Sequence, residues 1–164
     1  MVDQAYNYLK QDPSLALSNF DLMNIGEGLD FQVITEDVIV ESLLEDDETY
    51  IANYTDAQSG GTHWYVIQMR KKIIIVFDPL GAPIDDVLSQ YADKNKYVVI
   101  TSSNRAQSDK SNMCGLWCLW FIQHGCDIEY ANRVLSHGTY PQKEQLLTEA
   151  SASGKVSTSG CGKY

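Results

Sequence analysis

Apolar positions along the chain fall into two rhythms that separate helical from extended segments. Leu15 to Met23 and Glu36 to Leu44 carry apolar residues at helical spacing, the second through Val38, Ile39, Leu43 and Leu44, and both predict short surface helices. Tyr50 to Tyr54, His63 to Met69 and Ile73 to Phe77 are β-branched and aromatic runs bounded by turn signals, which predicts strands. The last two are expected to pair as a hairpin across Arg70-Lys71-Lys72. Asp85 to Ala92 then reads as a helix and Tyr97 to Thr101 as a buried strand, followed by a polar loop from Ser102 to Asn112. Met113 to Ile122 is apolar on every side, so it is expected to be a helix buried in the centre of the fold. Two shorter helices are expected within Ile128 to Leu135 and Gln142 to Ala150. The result is a single α+β domain, residues 1–150, with a small mixed or antiparallel central sheet flanked by helices. The Ser- and Gly-rich segment 151–164 is expected to be a flexible tail.

Composition narrows the function. A chain of 164 residues suits one domain, and no apolar run approaches the ~20 residues that a membrane span needs. No membrane partner is expected. The first residues, MVDQAYNYLKQD, show neither a basic nor an apolar leader region, so the expected compartment is reducing and the four cysteines are expected to be thiols. With 22 acidic against 12 basic residues the net charge is −10, which repels phosphate backbones. Nucleic acid is therefore not expected as a partner.

Thiol chemistry needs a sulfur that ionises, a base beside it, a group that orients the base, and donors for a developing oxyanion. Cys114 stands where the polar loop turns into the apolar helix, an address where the helix N-terminus favours a thiolate and leaves the sulfur at the mouth of the element. Gly115 permits close approach of another backbone, the Cys114 amide points outward as an oxyanion donor, and Gln107 in the preceding loop can supply a second. His63 opens one predicted strand and Asp78 ends the next, so hairpin pairing would let the acid take the imidazole's other N–H. The chain order is His, Asp, Cys.

Three blocks then stand out together: GGTHWYVI (Gly60 to Ile67), IVFDPLG (Ile75 to Gly81) and QSDKSNMCGLWC (Gln107 to Cys118). They resemble the active-site blocks of the adenovirus-type cysteine proteases, the adenain-like members of the clan that also holds the SUMO and ubiquitin-like proteases, over roughly residues 57 to 124. The resemblance implies a thiol endopeptidase with His63 as base, Asp78 as its orienting acid, Cys114 as nucleophile and Gln107 in the oxyanion hole. Trp64 and Gly61 would border the substrate. It further implies a virion maturation enzyme that cuts capsid or core precursor proteins at Gly-containing sites, in host cytoplasm or virus factory and in the virion. Asp78 stands where adenain has Glu, as in related proteases of the clan. Adenain takes DNA and a disulfide-linked peptide as activators. This chain is acidic and has no cysteine before Cys114, so no cofactor is expected.

Blander readings sit beside these. Cys118, Trp117 and Trp120 read as core, His124 and Cys126 as a helix end, and Glu45 to Glu48 as a solvated acidic loop. No zinc spacing is present, and no metal is expected. The tail's Thr158-Ser159-Gly160-Cys161-Gly162 resembles a Gly-type cleavage site, which makes it a possible substrate of the enzyme itself. Two alternatives remain open: an isopeptidase removing ubiquitin or a SUMO-like modifier, and a non-catalytic virion scaffold.

Overall fold

The structure, a computed structural model, describes residues 2–35, 44–55 and 62–152. Helices α1 (Val2–Lys10) and α2 (Asn19–Ile25) precede strands β1 (Gln32–Thr35), β2 (Thr49–Thr55), β3 (Thr62–Arg70) and β4 (Ile73–Phe77). Helix α3 (Asp86–Asn95), strand β5 (Val98–Thr101) and helices α4 (Cys114–Gln123), α5 (Ile128–Leu135) and α6 (Tyr140–Ala152) follow. The fold is α+β: a five-stranded mixed sheet in the order β1-β2-β3-β4-β5, flanked by helices. The two central pairings are antiparallel and both outer pairings are parallel.

The local code is visible in these elements. Lys72 adopts φ +67° in the two-residue turn that joins β3 to β4, where Arg70 pairs with Ile73. Helix α2 begins at Asn19 rather than Leu15, because Ser18 and Asp21 form a reciprocal capping box: the Asp21 amide donates to Ser18 Oγ at 3.2 Å and the Ser18 amide to Asp21 Oδ2 at 2.8 Å. Asp85 caps α3 by accepting from the Leu88 amide at 2.7 Å.

The sheet separates two cores. One face, built from Ile51, Trp64, Val66, Ile75 and Phe77, carries α4. The other face, with Tyr65, Ile67, Ile74 and Val76, carries Leu88 and Ala92 of α3. Helix α4 is apolar all round because β3 lies beneath it while α1, α2 and α6 cover its remaining sides. Trp117, Phe121 and Ile122 are each fully enclosed, and such side chains contribute on the order of 2 kcal/mol apiece. A Cβ on Gly115 would stand 3.0 Å from Leu22 Cδ2 and 3.1 Å from Leu17 Cδ1. Its glycine therefore lets α2 close on the first turn of α4.

Several expectations need correction. Strand β5 is an exposed edge rather than a buried strand, with Val98 64% and Ile100 39% exposed. A short apolar run does not distinguish edge from centre, because that depends on which strands lie beyond it. Cys126 is disulfide-bonded, against the expectation of four thiols. Pairing follows from which sulfurs the fold brings together, and composition does not encode that. Helix α6 reaches Ala152, so Ser151 and Ala152 belong to it and not to the tail. Helix α1 and strand β1 were not anticipated. The helix expected over Glu36 to Leu44 lies outside the described residues apart from Leu44, and so does the tail from residue 153.

Candidate active site

Strand pairing builds the first half of the site. The β3–β4 register pairs Val66 with Phe77, and carried one step further it sets Asp78 opposite Tyr65. His63 then lies two residues along β3 on the same sheet face, a diagonal neighbour of the acid. His63 Nε2 lies 2.7 Å from Asp78 Oδ1. The carboxylate is itself held, since Oδ1 also accepts the Leu80 amide at 2.8 Å and the Asp78 backbone N–H donates to Ser102 Oγ at 3.3 Å.

Helix packing builds the second half. Cys114 is the first residue of α4, only 7% exposed, and its side chain is close enough to the His63 ring to favour the ring's charged form. With Nε2 held by the carboxylate, Nδ1 is the ring nitrogen left for the sulfur. Burial of the ring opposes its charge, but the hydrogen bonds to Asp78 and Cys114, and their charges, outweigh burial and raise the His63 pKa from 6.5 to about 9. At neutral pH the ring is an imidazolium held between a carboxylate and a sulfur. Cys114 is more enclosed than expected, and on the next residue Leu17 and Leu22 close against Gly115.

Gln107 does not join these three groups directly. It is 2% exposed, its amide Nε2 donates to the Ser111 carbonyl at 3.2 Å, and its buried Oε1 has no partner. Its loop is nevertheless laced to the acid, because the backbone amides of Ala106 and Gln107 both donate to the Pro79 carbonyl, at 2.8 and 3.2 Å. Asn112, which sequence reasoning missed, anchors the same loop from the other side: its Nδ2 reaches the carbonyls of Leu9, Asp12 and Leu15 at 2.9 to 3.1 Å. A side-chain amide two residues before a candidate nucleophile was the one available hint. The first turn of α4 has no side-chain cap, so its amides are not taken up by one.

Trp64 is buried on the α4 side of the sheet, where its indole N–H donates to the Leu17 carbonyl at 2.9 Å. It lines a cavity of about 350 Å³ together with Val33 and Asn53. Gly61 lies outside the described residues. A second cavity, of about 390 Å³, opens beside His63 and Asp78.

The chain matches no family model, and no curated protein matches it in sequence. Among solved structures it is similar to the crystal structure of the ASFV pS273R protease. That likeness has a TM-score of 0.44 and 16% identity, and covers 82% of this chain and 66% of that one.

The other free thiol among the described residues behaves differently. Cys118 lies one turn beyond Cys114, wholly enclosed, and burial pushes its thiol well up, reinforced by nearby Cys114 and Asp78. It stays a thiol, as a core residue does. His124 closes the helix end, its Nδ1 2.8 Å from the Trp120 carbonyl. Among the described residues no group of His, Cys, Asp and Glu is arranged to hold a metal ion. The acidic run from Glu45 lies in a surface loop, where Asp46 Oδ1 accepts from the Tyr97 hydroxyl at 2.7 Å.

Proposed function

We propose that this chain is a cysteine endopeptidase in which Cys114 attacks a peptide carbonyl. The observation that carries the reading is the single His63 ring bonded to Asp78 at 2.7 Å with the Cys114 side chain close enough to act on its charge. An imidazolium beside a sulfur stabilises the thiolate, and a carboxylate on the far nitrogen fixes the ring's tautomer and plane. Attack forms the S–C bond and moves the carbonyl electron pair onto oxygen, where the Cys114 amide and the second hydrogen of Gln107 Nε2 would serve as donors. Collapse expels the amine, which takes the proton from His63 Nδ1. Water then adds to the thioester, giving its proton to the now neutral ring, and the acid product leaves as the imidazolium–thiolate pair is restored.

The resemblance of the three blocks supports a finer reading: a viral maturation protease acting on capsid or core precursors at Gly-containing sites, in the infected cell and the particle. The test is digestion of a peptide mixture containing Gly–Gly and Gly–X bonds, read by mass spectrometry of the new termini. Wild type should release termini flanking Gly, and Cys114→Ala should release none. Iodoacetamide at pH 7 should label Cys114 faster than Cys118, and His63→Ala should remove that preference. If Cys114 labels no faster than Cys118 and no peptide is cut, the reading fails; if only ubiquitin or SUMO fluorogenic substrates turn over, the chain is an isopeptidase.

A further inference from the structure

The cavity beside the His63–Asp78 pair lies on the sheet face opposite α4, between β3, β4, the Pro79 to Asp85 segment and α3. At about 390 Å³ it falls within the range of ligand-binding cavities, roughly 300–1,000 Å³. Its wall is apolar: Val76, Leu80, Pro83, Ile84 and Leu88 make a sleeve with no basic side chain among them. Its polar groups sit at defined points. Asp85 lies in the wall, where Oδ1 caps α3 and Oδ2 accepts from the Tyr65 hydroxyl at a long 3.3 Å, its other lone pair taken up by none of the described residues. Asp109 stands at the rim, 83% exposed and paired with Arg105 through one oxygen. Asp78 is already matched by the His63 imidazolium.

We propose that this cavity is the specificity pocket for a substrate side chain with a long apolar stem and a cationic head, a lysine or arginine, and this rests on the hydrolase reading above. The sleeve makes the site, and charge selects its occupant. After the ring and Arg105 are counted, Asp85 is the lining carboxylate with no cationic side chain beside it among the described residues, so a neutral apolar side chain would cover it while adding no donor. A lysine or arginine buries its methylenes along the sleeve and carries its donors to Asp85 Oδ2, with Asp109 assisting at the mouth. An acidic side chain is repelled. The pocket is tied to the candidate site through His63, which lines it.

Two measurements separate this proposal from the reading beneath it. The first follows binding of acetyl-arginine amide and acetyl-norleucine amide to the Cys114→Ala protein by NMR of the Val76, Leu80, Ile84 and Leu88 methyls. The arginine amide should bind about tenfold more tightly, as one charge-assisted hydrogen bond allows. Adding Asp85→Asn, in which asparagine can still cap α3, should bring the two affinities together; Asp109→Asn should reduce the preference partway. The second measurement ranks peptides cut by the wild type, and lysine or arginine should be enriched at one fixed position from the cut. A tenfold binding preference without any cleavage would sustain the pocket and defeat the hydrolase reading. Equal affinity for the two amides, or a preference that survives Asp85→Asn, overturns the pocket even if peptides are cut.

Discussion

Replacing Asp78 with asparagine removes a charge and little else. Asp78 Oδ1 accepts from both the His63 ring and the Leu80 amide, at 2.7 and 2.8 Å, and the amide oxygen of asparagine can take both bonds. The turn after β4 therefore survives, and the change falls on the ring. His63 rises from 6.5 to about 9 against the opposing effect of burial, so Asp78 and Cys114 together supply more than the net rise. Asp78 provides the larger share, and loss of its charge should lower the His63 midpoint by at least about one unit, equivalent to ~1.4 kcal/mol of preference for the charged ring. The assay is an NMR pH titration of the histidine ring protons, with the His63 signal identified by its absence in His63→Gln, since the chain also carries His124 and His137. The linked stability has a definite sign. A folded-state pKa above the unfolded value contributes stability that is fully present below pH 6.5 and lost as pH rises through about 9. The wild type should lose up to about 3 kcal/mol of unfolding free energy across that window from this group, and Asp78→Asn should lose less. A wild-type midpoint near 6.5, or one unmoved by Asp78→Asn, would refute the ion-pair account of the site.

Other perturbations probe the frame around it. Hydrolysis by the wild type should show an alkaline limb near pH 9, where the leaving amine loses its proton donor, and a steady-state pH profile on any cleaved peptide reads it directly. Gly26→Ala places a Cβ 2.6 Å from Phe31 Cε1 and 2.8 Å from Leu119 Cδ2, an overlap that should cost about 1–3 kcal/mol in urea unfolding. Phe77→Ala removes a fully buried ring stacked at 4.5 Å on Phe121, and should cost about 3–5 kcal/mol while loosening the end of β4 that carries Asp78. Asn112→Asp exchanges a donor for a carboxylate facing three backbone carbonyls; it should lower Tm and slow alkylation of Cys114, with Asn112→Gln recovering neither fully.

Much of the architecture is written locally. The alternation from His63 to Phe77 sets the hairpin because neighbouring side chains on a strand must face opposite cores, and Trp64 and Val66 do face α4 while Tyr65 and Ile67 face α3. The switch from a polar loop to an unbroken apolar run places Cys114 at the first residue of α4. Helix α1 went unread although Val2, Ala5, Tyr6 and Leu9 stand at helical spacing, and its seat against α6, where Tyr6 donates to Glu144 at 3.0 Å, has no local signal. What tertiary structure alone decided is everything that spans long stretches of chain. It set β5 at an exposed edge, put Cys126 in a disulfide, assigned Nε2 rather than Nδ1 to Asp78, and tied Asn112 to carbonyls about a hundred residues upstream. Periodicity tells each residue which way to face, because that is a property of its own few bonds. Which group it then meets is fixed only by the packing that satisfies the whole chain at once.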